Sequence, residues 1–227
     1  DFIINSCATY FDYNDLYRYH KSITSENVIT IGGDHSISEA TVRSSISKKD
    51  NVHVIWIDAH SDINTSTTSV SGNSHGMVVS KLMGYDGYRE CLKPSNITYV
   101  GLRDVDIPEK SIIEMKNIQT YSTKDVIDYG IKQVCSEIIE KAEPNSYYHI
   151  SLDVDVLDPN YFPFTGTPVG KGLKPQQITE ILKIFKNKTI GLDIVEFNPL
   201  LINNVSSWDV ERRFDSCIDI IDSWIKV

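Results

Sequence analysis

The sequence of 227 residues has few cysteines, little positive charge and no long apolar run. Its four cysteines are far apart and form no C-x-x-C pair, which disfavours a zinc knuckle or a disulfide framework. The formal net charge of −9 argues against a nucleic-acid partner, because phosphate binding needs a basic surface. Without about 18 consecutive apolar residues or a secretory segment, we expect no membrane span and a cytoplasmic location.

The alternation of apolar segments predicts an α/β fold. At 41% hydrophobic residues, the chain can bury a substantial core, and no repeat or linker divides it, so we expect a single domain over residues 1–227. Strands are predicted at 28–31, 52–57, 97–100, 118–121, 147–154 and 189–195. Helices are predicted at 15–23, 36–47, 75–83, 109–116, 123–141, 175–186 and from about 207 to 225. This order favours three αβα layers around a mostly parallel sheet, with the active site at the carboxyl ends of the strands.

Two helix starts have recognisable capping signals. Ser36, followed by Glu39 three residues later, predicts a capping box for the second helix. Ser122 or Thr123 is predicted to cap one continuous amphipathic helix that ends near Lys141.

The segment that follows the strand at 52–57 is the strongest functional signal. Asp58, His60 and Asp62 alternate along an extended chain, so their side chains can point to one side. Two carboxylates and an imidazole that converge at the end of a buried strand repel and desolvate one another unless a cation lies between them. The pattern therefore predicts a metal site.

Acidic and imidazole residues follow other strands in the same way. His35 follows the first strand, Asp153 and Asp155 end a later one, and Glu196 follows the last. Because ligands bind beyond the carboxyl ends of parallel strands, we expect these groups to meet at one edge of the sheet.

The charge and the donor types indicate which metals fit. Asp58, Asp62, Asp153 and Asp155 carry four negative charges, which matches two divalent cations. Oxygen and imidazole donors without thiolate suit manganese better than zinc or copper, although iron, cobalt and nickel are also possible. Two adjacent ions can lower the pKa of a shared water, so the residues predict a binuclear metallohydrolase.

Four motifs together resemble the signatures of the ureohydrolase family, which includes arginases, agmatinases and formiminoglutamases. They are Gly32-Gly33-Asp34-His35-Ser36, Asp58-Ala59-His60-Ser61-Asp62, the segment from Ser151 to Pro159, and Glu196-Phe197-Asn198-Pro199. The likeness extends over about residues 28–215. The segments 62–76 and 101–106 resemble arginases in particular.

This resemblance implies two Mn²⁺ ions and assigns their ligands. One ion would be held by His35, Asp58, Asp62 and Asp153, and the other by Asp58, His60, Asp153 and Asp155. The implied reaction converts L-arginine and water to L-ornithine and urea through a hydroxide that bridges the two metals. Asp62 would orient the hydroxide, Glu196 would pair with the guanidinium, and His75 would transfer protons.

The resemblance also implies how the far end of the substrate is bound. Asn64, Ser71 and Asn73 would meet the α-carboxylate, Asp106 the α-ammonium, and Thr167 another part of the substrate. These groups favour L-arginine over agmatine, which has no carboxylate. An agmatinase, or another ureohydrolase of guanidino compounds, is the alternative activity. A catalytically silent relative that acts as a scaffold or regulatory partner is the alternative of a different class.

The sequence departs from the family pattern at two places. Only 31 residues precede Gly32, so either the sheet lacks the family's N-terminal strand segment or the sequence is a fragment. Gln176-Gln177 stands where arginases commonly have an Arg-Glu pair. The family is typically trimeric, so we expect a homo-oligomer, and these departures bear on that assembly rather than on the metal site.

Overall fold

A computed structural model describes residues 13–25, 27–198, 201 and 222 of the chain. Its six strands are β1 (Val28–Ile31), β2 (Val52–Ile57), β3 (Ile97–Leu102), β4 (Gln119–Ser122), β5 (Tyr147–Asp153) and β6 (Thr189–Val195). Its seven α-helices are α1 (Tyr13–Ser22), α2 (Ser38–Lys48), α3 (Val78–Leu82), α4 (Ile107–Met115), α5 (Thr123–Tyr129), α6 (Ile131–Lys141) and α7 (Pro175–Phe185).

The six strands form one sheet in the order β1-β6-β5-β2-β3-β4, and every neighbouring pair is parallel. β2 and β5 lie side by side near the middle, with Ile57 opposite Leu152. Asp58, which follows β2, and Asp153, the last residue of β5, are therefore brought together at the carboxyl edge of the sheet. The predicted α/β class and the parallel sheet are confirmed.

Helices cover both faces of the sheet. Val54 and Trp56 of β2 pack with apolar residues of α2 and α3, whereas Ile55 and Ile57 pack with α5, α6 and α7. Every residue of β2 is buried, as expected for a central strand of a sheet covered on both sides. The three predicted layers are present, and they leave the strand ends as the place for polar side chains.

The predicted capping of the second helix at Ser36 is wrong. The side chain of Asp34 accepts a hydrogen bond from the backbone N–H of Ser36, and a 3₁₀ turn over His35–Ile37 follows. α2 then begins at Ser38, and Glu39 pairs with Arg43 rather than capping the helix. Asp34, rather than Ser36, therefore supplies the side-chain acceptor that determines the local structure around His35.

The predicted single helix from 123 to 141 is also wrong, because two helices occupy this range. Ser122 caps α5 by accepting a hydrogen bond from the backbone of Asp125 at 3.1 Å. Gly130, with φ of +82°, ends α5 and allows α6 to start in a new direction. The apolar periodicity continues across the break because both helices pack on the same face of the sheet.

The remaining elements lie within a few residues of their predicted positions. β3 extends to Leu102, β5 ends at Asp153, and the helix predicted after His75 is a 3₁₀ turn followed by α3. The helix predicted from about residue 207 lies outside the described residues. Among the helices of the described segments, none has the length and apolarity needed to cross a membrane.

The loop between β5 and α7 returns to the end of β5 at Gly172. A Cβ atom there would lie 2.4 Å from the Asp158 nitrogen and 2.6 Å from the Val156 oxygen, and these backbone atoms cannot move aside. We expect Gly172→Ala to lower the free energy of unfolding in urea by about 1–3 kcal/mol, the usual cost of overpacking. Gly170→Ala in the same loop is the control, since its Cβ would meet nothing within 4 Å. Equal stability of the two variants would contradict this account.

Candidate metal centre and active site

Asp58 is the central side chain of the site and is completely buried. Its Oδ2 accepts a hydrogen bond from the indole nitrogen of Trp56 at 3.0 Å, and its Oδ1 accepts one from the backbone N–H of His60 at 2.7 Å. The backbone of Asp58 continues the β2–β3 ladder by donating to the Val100 oxygen. The carboxylate is therefore held rigidly at the end of the sheet.

His35 brings a ring nitrogen among three carboxylates. Its Nδ1 lies 3.2 Å from Asp58 Oδ2, 3.0 Å from Asp62 Oδ2 and 3.2 Å from Asp153 Oδ2. The ring is buried and stacks on Trp56 with centroids 4.3 Å apart. Nδ1 has no hydrogen-bond partner of good geometry among the described residues. A buried nitrogen surrounded by carboxylate oxygens is the arrangement that a cation would complete.

A second group of donors lies on the other side of Asp58. His60 Nδ1 is 3.0 Å from Asp155 Oδ2 and 3.6 Å from Asp58 Oδ1. Asp153 is the last residue of β5, and Asp155 lies in the 3₁₀ turn that follows it. The side chain of Asp153 caps this turn by accepting a hydrogen bond from the backbone N–H of Asp155. Three sets of possible metal ligands lie among the described residues. Two of them, His35/Asp58/Asp153 and Asp58/His60/Asp155, share Asp58, and the third is Asp34/His75/Glu196.

The electrostatics of the cluster indicate an excess of buried negative charge. Burial, and then the charge of Asp58, raises the pKa of Asp62 to about 7 and holds the pKa of Asp153 well above its ordinary value. Burial disfavours the charged form of His60, but the carboxylates of Asp155 and Asp58 raise its pKa to about 12. Groups of this kind compete for protons when no other cation is near.

The donor set fits divalent cations. The two groups that share Asp58 consist of carboxylate oxygens and imidazole nitrogens, without a thiolate. Donors of these types favour manganese and related metals over softer metals. The unpartnered Nδ1 of His35 and the shared carboxylate of Asp58 are the two features that fit a pair of adjacent ions.

A cavity of about 250 Å³ opens above these ligands. Its lining residues are His35, His60, Asp62, Asn64, His75, Gly76, Asp104, Asp106, Glu109, Asp153, Asp155, Thr167 and Glu196. Asp58 lies beneath them. Most of the residues predicted from the sequence are therefore brought to one cavity.

His75 and Glu196 lie together on the wall of this cavity. His75 Nδ1 is 3.6 Å from Glu196 Oε1 and 3.6 Å from Asp34 Oδ2. Glu196 Oε1 also accepts a hydrogen bond from the backbone N–H of His35 at 2.7 Å. An imidazole between two carboxylates can hold or pass on a proton, so this wall has the groups needed for acid–base chemistry.

Asp62 and Glu196 both have a left-handed backbone, with φ of +49° and +60°. Non-glycine residues adopt this conformation at an energetic cost and often at functional sites. Here the conformation turns both carboxylates toward the cavity.

The residues predicted to bind the far end of a substrate are only partly brought to the cavity. Asn64 Nδ2 donates to Asp106 Oδ2 at 3.2 Å, and Thr167 Oγ1 donates to Asp155 Oδ2 at 3.1 Å. Ser71 and Asn73 lie on an exposed loop outside the lining, where Ser71 Oγ accepts a hydrogen bond from the Asn73 backbone. Substrate contacts by these two residues remain a prediction.

Several residues at the site were not singled out from the sequence. Trp56 binds Asp58, and Asp104 Oδ2 lies 3.8 Å from His60 Nε2. Glu109 is buried and accepts hydrogen bonds from the backbone of Ile63 and Asp106, which joins the β2 loop to the start of α4. Side chains alternate along a strand, so Trp56 and Asp58 point to the same side. Of these residues, Trp56 is therefore the one that the sequence pattern could have assigned to the site.

Comparison with known proteins agrees with this geometry. The model of the arginase family matches residues 8–209. The arginase of Plasmodium berghei (strain Anka) is 39% identical over 77% of the chain and 53% of its own length. The arginase of Glaciozyma antarctica (strain PI12) is 38% identical over 83% of the chain and 60% of its own length.

A solved structure shares the fold. The crystal structure of Entamoeba histolytica arginase in complex with L-ornithine has a TM-score of 0.84 and 29% identity, and the match covers 95% of the chain and 75% of that structure. The chain thus spans about half to three fifths of the two curated relatives named above. With the family match over most of its length, the chain belongs to the arginase family.

Proposed function

We propose that this protein is an arginase that hydrolyses L-arginine to L-ornithine and urea with two bound Mn²⁺ ions. The observation that supports this proposal most strongly is the pair of ligand groups that share Asp58 at the floor of the cavity. The enzyme names of the relatives, and the ornithine complex of the Entamoeba protein, support the same reaction.

We assign the ligands as follows. His35, Asp58, Asp62 and Asp153 would hold one ion, and Asp58, His60, Asp153 and Asp155 would hold the other. The chemistry that the two ions would supply is a lower pKa for bound water, and hence a hydroxide nucleophile near neutral pH. Thr167, by donating to Asp155, would keep that carboxylate turned toward the metal.

The cavity wall offers groups for each remaining step. Glu196 would bind the planar guanidinium through charge-assisted hydrogen bonds. Asp62 would accept a hydrogen bond from the attacking oxygen and orient it toward the central carbon. As the C–N bond breaks, the leaving amine needs a proton, and His75, whose Nδ1 lies 3.6 Å from Glu196 Oε1, would donate it.

Selectivity would depend on the opposite end of the cavity. Asp106 would pair with the α-ammonium, while Asn64, Ser71 and Asn73 would bind the α-carboxylate directly or through water. Asp106 is held by a capping box with Glu109 at the start of α4, so its position is rigid. Homo-oligomeric assembly and a cytoplasmic location remain predictions from the sequence.

The substrate assignment is tested with Mn²⁺-loaded protein supplied with L-arginine or with agmatine. We expect urea release to be faster from arginine, because agmatine lacks the carboxylate that Asn64 would bind.

Asn64→Asp places a negative charge opposite that carboxylate, and we expect it to raise KM for arginine by at least roughly tenfold, the scale of a lost hydrogen bond to a charged group.

The matched control is Asn96→Asp, which makes the same change at the amino edge of the sheet, just before β3. KM for arginine should not change in this control. Faster turnover of agmatine would identify an agmatinase instead. Protein that binds Mn²⁺ but releases urea from neither compound would favour the catalytically silent alternative.

The ligand assignment predicts unequal losses of metal. Asp58 belongs to both groups, so we expect Asp58→Ala to lose both ions, whereas His60→Ala should keep the ion at His35. Elemental analysis after incubation with Mn²⁺ and removal of free metal measures this difference. His53→Gln is the control, because this buried histidine contacts Thr98 and belongs to neither group. Equal metal content in the Asp58 and His60 variants would show that Asp58 is not shared.

A further inference from the structure

A row of buried hydrogen bonds leads away from the metal centre, starting at the second ring nitrogen of His35. His35 Nε2 lies 2.8 Å from Ser151 Oγ. Ser151 Oγ donates to Ser38 Oγ at 3.1 Å, and Ser38 Oγ donates to Asp193 Oδ2 at 2.9 Å. All four side chains are buried, with at most 1% of each exposed.

Asp193 fixes the direction of these hydrogen bonds. Its Oδ2 also accepts from the hydroxyl of Thr41 and lies 3.0 Å from His149 Nε2. Burial works against the charged form of Asp193, but His149 and the hydroxyl of Thr41 outweigh it and lower the pKa of this carboxyl. An ionised carboxylate can only accept hydrogen bonds, so Ser38 must donate to it.

The donor and the acceptor of each further hydrogen bond then follow from the one before it. Because the hydroxyl proton of Ser38 points to Asp193, Ser38 can only accept from Ser151. Ser151 has then used its own proton, so its oxygen must accept from His35. His35 therefore carries a proton on Nε2, and the lone pair of neutral imidazole is on Nδ1, the atom that faces Asp58, Asp62 and Asp153. That is the tautomer needed for a metal ligand at Nδ1.

We propose that Ser38 and Asp193 are positioning residues that act through Ser151 to hold His35 in its metal-binding tautomer and orientation. This inference rests on the metal centre of the proposed function. It gives a role to a carboxylate that does not line the metal cavity and to a serine in the first turn of α2. Neither residue would contact a metal ion or a substrate.

The protein offers a matched pair of variants for the test. Ser38→Ala and Thr189→Val each remove one buried hydroxyl, but Thr189 Oγ1 donates to the backbone oxygen of Phe185, and only Ser38 joins Asp193 to Ser151. Metal-free protein is titrated with Mn²⁺ in a calorimeter, and the free energy of unfolding of each metal-free variant is measured beside it.

We expect Ser38→Ala to weaken the binding of one Mn²⁺ by roughly 10-fold or more, the usual scale for residues that orient a metal ligand. Thr189→Val should bind Mn²⁺ as the unaltered protein does, even if it loses as much stability. Should Ser38→Ala fail to fold, Ser38→Cys keeps the volume with a weaker donor and should give a smaller loss in the same direction. Unchanged Mn²⁺ affinity in a folded Ser38 variant would overturn the proposal, and so would an equal loss in Thr189→Val.

A double variant tests whether the residues act in series. If Ser38 acts only through Ser151, adding Ser38→Ala to Ser151→Ala should cause no further loss of Mn²⁺ affinity, whereas independent effects would add. Additive losses would therefore contradict the row of hydrogen bonds. If the unaltered protein binds no Mn²⁺, the metal centre itself is wrong and this role for Ser38 falls with it. Normal binding that Ser38→Ala leaves unchanged refutes this inference alone.

Discussion

The main physical constraint on this structure is the repulsion among carboxylates that are buried together at the carboxyl edge of the sheet. Asp58, Asp62 and Asp153 surround one nitrogen of His35, and Asp155 adds a further charge on the other side. Charges removed from water in this way are costly unless opposite charges compensate them. The cluster is therefore suited to binding cations, and its polar neighbours hold the carboxylates and the imidazoles in fixed positions.

The parallel sheet brings these charges together. Ile57 of β2 and Leu152 of β5 lie side by side, so the residues after them meet at one edge of the sheet although they are far apart in the sequence. Rigid strands and the layers on both faces fix the ligands, while the loops supply His75, Thr167 and Glu196 around the cavity. This division suits a metal site, in which ligand positions must be held closely.

The sequence was sufficient to predict the strands and the edge of the sheet at which most of the candidate ligands meet, because apolar segments that end in Asp-x-His-x-Asp or Asp-x-Asp are local patterns. It was not sufficient where the outcome depends on neighbours in space. Asp34 rather than the predicted Ser36 shapes the turn that presents His35, and Gly130 divides a helix whose apolar pattern is continuous. The contact of Ser38 with Asp193 requires α2 to lie across the sheet, which no local pattern reveals.

The central claim is that two metal ions lie next to each other and share Asp58. Electron paramagnetic resonance of Mn²⁺-loaded protein tests it most directly, together with the metal content of the same sample. We expect about two ions per chain with the spectrum of an exchange-coupled pair, because ions that share ligands and a water lie about 3.5–4 Å apart. One ion per chain, or the six-line spectrum of isolated Mn²⁺, would contradict the account.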